Sequence, residues 1–201
     1  MNRLLIALIM ICVIGGYQFW TTREISHPPG VLAPNDPVQV EVTDQDRKPE
    51  KYKTVVIEPL AKYKIQARIL GIRKYWLDRG AKIAPYDLAL GWGPMSDSRI
   101  LKQLDISQAD RFFFYSFKPE QLTIAPDQIS NFSANVHIIP DNAYIKQQIA
   151  GLHVGNVVTL TGSLVRVNYM DGGEWKSSLT RSDTGNGACE LMKVDSIVMN
   201  P

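Results

Sequence analysis

Cysteine and histidine are scarce: two cysteines, Cys12 and Cys189, and three histidines, His27, His137 and His153, stand in 201 residues. Cys12 lies inside an apolar N-terminal run, so a Cys12–Cys189 disulfide would tie a bilayer core to a folded domain and is excluded. A domain of this size holds together without a bridge. No His or Cys stands at metal-ligand spacing, so neither a metal nor another cofactor is expected. The net charge of +2 carries no excess pointing to nucleic acid. There is no internal repeat and no low-complexity tract. Residues 9–11 ahead of Cys12 form no lipobox, and no small-x-small cleavage site follows the apolar run. A hydrophobic content of 45% argues against global disorder.

What is present begins with residues 4–20, apolar except for Gln18. A spanning helix wants about 20 apolar residues and tolerates about 17. A secretory signal peptide is the competing reading, with an apolar core of about 7–15 residues. Tyr17, Phe19 and Trp20 form an interfacial aromatic belt and, with the missing cleavage site, favour a retained anchor over residues 1–22. Arg3 precedes the run, whereas Arg23 follows it and is offset by Glu24. The positive-inside rule then puts the N-terminus in the cytoplasm and the remainder outside. In a Gram-negative cell the expected location is the inner membrane, single-pass, with a periplasmic C-terminal domain. One segment argues the other way. Residues 47–82 hold eleven Lys/Arg against Glu50, Glu58 and Asp78, which would suit a cytoplasmic leaflet. That segment starts well past the run, where the rule has weakened.

Residues 23–50 read as a semi-stiff linker. Pro28, Pro29, Pro34, Pro37 and Pro49 recur there among polar residues without a helical or strand period. Such a spacer would hold the domain off the membrane. Residues 51–201 are patterned as mainly β. Strands are expected at 53–60, 62–69, 87–92, 111–117, 135–139, 157–167, 175–179 and 188–194. In 62–69, Lys62, Lys64, Gln66 and Arg68 alternate with Tyr63, Ile65, Ala67 and Ile69, giving one buried face and one wet, cationic face. Gly71 marks a bulge, and Asp171-Gly172-Gly173 a turn. Two short helices are expected. Ser96 or Asp97 caps the first, which buries Ile100, Leu101 and Leu104. Asp141 or Asn142 caps the second, with Ile145, Ile149 and Leu152 on one face and Gly151 as its stop.

Strands, a helix, then GNVVTLTGSLV at 155–165 resemble the later half of an OB-fold barrel, where a helix precedes a fourth strand that bends at glycine, here Gly162. Another small Greek-key barrel would satisfy the pattern nearly as well. The expected fold class is therefore a mainly β, OB-like, Greek-key β-barrel with two short helices, behind an N-terminal transmembrane helix. LALGWGPMSD (88–97), SANVHIIP (133–140) and SSLTRSDTGNGACE (177–190) are similar to motifs of a group of uncharacterised bacterial exported or membrane-anchored proteins. The resemblance spans 63–194 and implies no activity and no functional residues.

The loop at 180–187 is the first candidate ligand site. Gly185 and Gly187 can turn backbone N–H groups toward an anion, and Arg181 adds a bidentate donor beside Asp183, Thr184 and Asn186. The same loop also reads as a hairpin connection whose Asp and Thr bond their own backbone. Asp183-Thr184-Gly185 spells the aspartic-protease triplet as well. That chemistry needs two carboxylates and an apolar strand before the triplet, where Arg181-Ser182 stand instead. Trp92, in a Gly-Pro turn, can stack a sugar or base; more often such a residue plugs a barrel end with its N–H bonded to a loop carbonyl, and that reading is favoured. His137 faces opposite to Val136 and Ile138 and joins the ligand set. His153 lies at a helix–strand junction, where it favours a helix C-terminus. Cys189 reads as a small core residue. The Lys62, Lys64 and Arg68 face could engage an anionic polymer, or serve solubility alone.

These readings converge on a membrane-anchored extracytoplasmic module that binds or assembles envelope components without catalysis. Its expected partners are the membrane and an envelope protein or cell-wall polymer. Two alternatives stay open. One is a hydrolase using His137, Asp97, Asp183 and Glu190. The other is a nucleic-acid-binding OB-like domain acting in DNA uptake or secretion, which an exported location disfavours.

Overall fold

The computed structural model describes residues 8–13, 15–16, 23–43, 45–180 and 189–200. Residues 8–13 and 15–16 are helical, and no helix among the described residues is long and apolar enough to cross a membrane. The chain is mainly β. Its strands are β1 (Val38–Glu41), β2 (Glu50–Tyr52), β3 (Val55–Lys74), β4 (Tyr86–Gly91), β5 (Leu104–Ala109), β6 (Phe112–Phe117), β7 (Ser133–Pro140), β8 (Val157–Tyr169), β9 (Glu174–Lys176) and β10 (Glu190–Asn200). Three short α-helices interrupt them: α1 (Ser98–Leu101), α2 (Pro126–Asn131) and α3 (Ala143–Ala150).

The two strands expected at 53–60 and 62–69 are one strand, β3, of 20 residues. It slips register against β8 between Pro59 and Ala61, and against β4 between Ile69 and Gly71, where a bulge was expected. Each extra residue bends the strand and re-aims its faces. With both bends β3 serves two neighbours. It pairs antiparallel with β8 from Val55 to Arg68 and with β4 from Arg68 to Lys74. β4 continues to β7, β7 runs parallel to β10, and β10 runs antiparallel to β8. The pairings thus return to their starting strand through β3, β4, β7, β10 and β8.

One apolar cluster fills the inside of this circuit. Tyr63, Ile65, Ala67 and Ile69 of β3 meet Leu88, Leu90, Val136, Ile138, Leu160, Leu164 and Met192 there. Ile145, Ile149 and Leu152 of the α3 region close it from one side, as the i, i+4, i+7 spacing predicts. Two further clusters lie on the outer faces. Val55 and Ile57 pack with Ile139, Val165, Val167 and Leu191. The β5–β6 hairpin covers Leu70, Ala89, Met95 and Ile129 with Leu104, Ile106, Phe113 and Tyr115.

Several expectations change here. The first helix lasts four residues, and Leu104 opens β5 instead of extending it, because β5 and β6 satisfy each other's backbone over six residue pairs. The domain has a third helix, α2, started by Pro126 at its first position. The proline-rich stretch is also not a free spacer. Ile25 N donates to Val154 O (2.8 Å), Leu32 N and Ala33 N share Ser96 Oγ (3.0 and 3.1 Å), and Gly93 N donates to Ala33 O (2.7 Å). Residues 38–41 then pair with β3 as β1. Prolines lack the N–H that a ladder needs, so this segment is held by isolated hydrogen bonds until β1 begins. Gly155, at φ +93°, lets Ile25 O come so close that a Cβ there would collide with it.

Gly162 of β8 faces the backbone of β10 in the same way, and a Cβ would strike Lys193 O. Gly162→Ala is therefore expected to cost about 1–3 kcal/mol in urea unfolding. Gly151→Ala, where the added methyl meets nothing closer than 3.5 Å, should stay within about 0.5 kcal/mol of the parent.

Candidate functional site: a buried polar seam

Asp87 on β4 and His137 on β7 are register partners on the outer face of the circuit. Their same-face neighbours are apolar: Ala89 lies in the hairpin cluster and Ile139 in the cluster under the first part of β3. The two polar residues thus occupy the seam between two covering layers. Asp87 is fully buried and His137 nearly so. Nδ1 of His137 lies 2.9 Å from Asp87 Oδ1. A carboxylate only accepts, so Nδ1 carries the proton. The imidazole ring packs against Trp175 of β9, with centroids 4.9 Å apart.

Arg111 closes the seam. It is the second residue of the two-residue β5–β6 turn, where Asp110 (φ 50°) and Arg111 (φ 71°) both adopt left-handed backbone. That geometry matches a primed hairpin turn, which glycine and asparagine normally occupy. The strain in a bulky arginine is held by its contacts. Its N–H donates to Tyr75 Oη (3.1 Å), and its carbonyl accepts from Asn135 Nδ2 (2.9 Å). Nη1 donates to Asp87 Oδ1 and Ala84 O, both at 2.9 Å, and Nη2 donates to both oxygens of Asp78. The guanidinium also stacks on Tyr75 at 3.9 Å. One cation thereby joins the hairpin turn, β4 and the turn before it.

The sequence placed the best ligand loop at 181–187. Arg181, Asp183, Thr184, Gly185 and Asn186 lie outside the described residues, but both flanks of the loop are described. Ser178 N donates to Cys189 O (3.2 Å), and Cys189 Sγ lies 3.9 Å from both Asn135 Nδ2 and Arg111 O. Asn135 and His137 are two positions apart on one strand face, about 7 Å. His137 and the described flanks of that segment, Ser178 and Cys189, therefore share one neighbourhood. Asp87, Arg111 and Trp175 were not singled out. Asp87 was hidden by its apolar neighbours in LALGW, and Arg111 reads as an ordinary strand start.

Other expected site residues lie elsewhere. Trp92 is buried in the inner cluster, and its Nε1 donates to Asp36 Oδ1 at 2.9 Å. The ring is buried, and its N–H meets a carboxylate where a loop carbonyl was expected. Asp97 caps α1 through Arg99 N (2.8 Å), accepts from Gly30 N (3.1 Å) and pairs with the Arg99 side chain. Four strand residues, about 13 Å, separate Asp87 from Gly91, beyond which Asp97 lies. Glu190 shares a strand face with Met192, which points into the circuit, so it faces away from His137. Lys62 and Lys64 are exposed as expected, and Lys62 pairs with Asp46 at 2.7 Å. Arg68 corrects the wet-face reading. It is buried because residues 24–27 and the Ser96–Ser98 turn cover that end of β3. Burial pulls its guanidinium below the ordinary arginine value, and Glu24 and Asp97 work against this.

Among the described residues no group of His, Cys, Asp and Glu could hold a metal ion. The chain matches no family model, no curated protein and no solved structure.

Removing one partner of a buried pair strands the other. Asp87→Ala should therefore cost about 3–5 kcal/mol in chemical denaturation. The Arg99 side chain, helped by backbone N–H groups, holds the Asp97 carboxyl well below the usual range, and burial offsets part of this. An unfolded Asp titrates near about 3.9. The Asp97 contribution is thus complete above that pH and lost as pH falls through the lower folded value. Asp97→Ala should lose about 1 kcal/mol at neutral pH, with a shallower loss of stability than the parent on acidification below about pH 4.

Proposed function

We propose that this chain is a membrane-anchored, extracytoplasmic OB-like module of the bacterial envelope that binds or assembles a partner without catalysing a reaction. The observation that carries the non-catalytic reading is the seam. His137 Nδ1 is held by Asp87, its ring is covered by Trp175, and Arg111 directs its donors at Asp87, Asp78 and Ala84. Such a cluster spends its polarity on joining layers. Its recognition surface is assigned to the 181–187 segment, whose described neighbour Cys189 lies 3.9 Å from Asn135 Nδ2.

The circuit of five strands supports an OB-like barrel. A parallel β7–β10 pair and a helix between β7 and β8 are the arrangement in which that fold closes its Greek key. The apolar run at 4–20 supports the anchor, and the Lys/Arg balance around it supports an outside domain. The hydrolase set loses support because Asp97 is committed to Arg99 and Gly30 while Glu190 faces away from His137. The nucleic-acid reading loses support because Arg68 is buried and the hairpin covers the outer face of β4.

Two measurements on intact cells test this. A cysteine introduced at exposed Tyr144 should react with a membrane-impermeant maleimide before lysis, against a background lacking Cys12 and Cys189. In-cell cross-linking followed by purification of the full chain should recover an envelope protein or wall fragments. Labelling only after lysis would refute the location. Turnover of ester or peptide substrates by the purified chain would refute the non-catalytic reading.

A further inference from the structure

Arg68 is 3% exposed, yet its guanidinium is only half used. Nη1 donates to Ser98 Oγ at 2.7 Å and reaches Ser96 O at 3.3 Å. Nε makes no hydrogen bond among the described residues. Nη2 faces the Glu24 carboxylate at 3.8 Å, beyond hydrogen-bond reach. Nε and Nη2 form the side-on edge of the guanidinium, whose parallel N–H groups match two oxygens of one anion. Nε is out of reach of solvent, and a buried cation left without a hydrogen bond there is costly unless an anion completes it.

Arg68 lines an open cavity of about 380 Å³ together with Glu24, Ser26, His27, Ser98 and Lys102. A second open cavity shares Glu24 and Ser26 and adds Arg23 and His153. Across both, Arg23, Arg68 and Lys102 outnumber the single acid Glu24, and Ser26 adds an exposed hydroxyl, while the Ser98 proton is already given to His27 O (3.0 Å). Asp97, the other carboxylate near Arg68, is already paired with Arg99. Glu24 itself has an exposed side chain and sits on the segment tied down by Ile25 and His27, whose Nε2 lies 2.7 Å from Gly155 O. Three residues separate Glu24 from the end of the apolar run at Trp20 in the sequence.

We propose that this cavity binds a phosphate group on the side-on edge of Arg68, with Lys102 as second cation and Glu24 as the carboxylate it displaces. The phosphate belongs to a lipid headgroup or to a free anion. Only the lipid source rests on the anchor reading above. Neutralising Glu24 makes binding tighter, whereas removing the Arg68 fork or Lys102 makes it weaker.

The full chain in neutral detergent, labelled with ¹⁵N-arginine, tests this by titration with inorganic phosphate. The readout is the Arg68 Nε–H resonance, assigned by its loss in Arg68→Lys. A saturable shift is expected in the parent. Glu24→Gln should bind several-fold tighter and Lys102→Ala about tenfold weaker. The Lys102 variant alters only an exposed cavity wall, so it keeps the test open should Arg68→Lys fail to fold. No saturable shift in either the parent or Glu24→Gln overturns the proposal and leaves Arg68 as a tether for Glu24. The same resonance in nanodiscs of phosphatidylglycerol and of phosphatidylcholine separates the sources. A shift with the anionic lipid alone assigns the headgroup, and equal spectra with phosphate binding intact assign a free anion. A chain that fails to enter nanodiscs overturns the anchor reading, and the detergent titration still decides the site.

Discussion

At Arg68 one strand has a partner on both edges. β3 meets Val157 of β8 on one side and Gly91 of β4 on the other at that residue. Before it β3 pairs with β8, with β1 and β2 on its other edge, and after it with β4. The circuit of strands depends on this hand-over, because it lets twenty consecutive residues bind two halves of the sheet without a break in the chain. Lys62 and Lys64, with β1 and β8 on their two edges, stay exposed, whereas Arg68 is covered by residues 24–27 and the Ser96–Ser98 turn.

The polar seam follows from the same architecture. Two apolar layers, one from the β3–β8 extension and one from the β5–β6 hairpin, lie on the outer face of β4 and β7 and do not merge. Asp87, His137 and Asn135 fill the line between them, and Arg111 reaches across. Burying these charges is expensive unless each finds its partners. The left-handed backbone at Arg111 is tolerated because six hydrogen bonds from that residue and to it fix the turn. Directional bonds of this kind set the hairpin's position more narrowly than apolar contact alone would. The flanks of the 181–188 loop meet this rigid line at Cys189 and Asn135.

Much of this was legible in residue order. The alternation Tyr63, Ile65, Ala67, Ile69 gave the buried face of β3, Gly71 the bulge, and Asn142 with Ile145, Ile149 and Gly151 gave α3 and both its ends. Trp92 was legible as a buried residue because a tryptophan between glycines and a proline fits a packed turn. What escaped reading was set by tertiary contact. Leu104 has a helical spacing from Ile100, yet pairing with Phe117 makes it a strand residue. The prolines at 28–37 disguised a segment whose partners, Ser96, Val154 and Gly155, are distant in sequence. Asp87 sits among LALG neighbours that read as uniform core, and only its register with His137 reveals the pair. Arg68 obeys the period of its strand, and nothing local announces what covers it.

The hand-over in β3 can be read directly by backbone nuclear Overhauser effects on the full chain in detergent. Cross-strand contacts from Tyr63 to Gly162 and from Ile72 to Leu88 should appear together in one set of spectra, with amides around Arg68 among the slowest to exchange. Finding only one of the two contacts, or fast exchange at residues 67–69, would contradict a single strand that binds both halves.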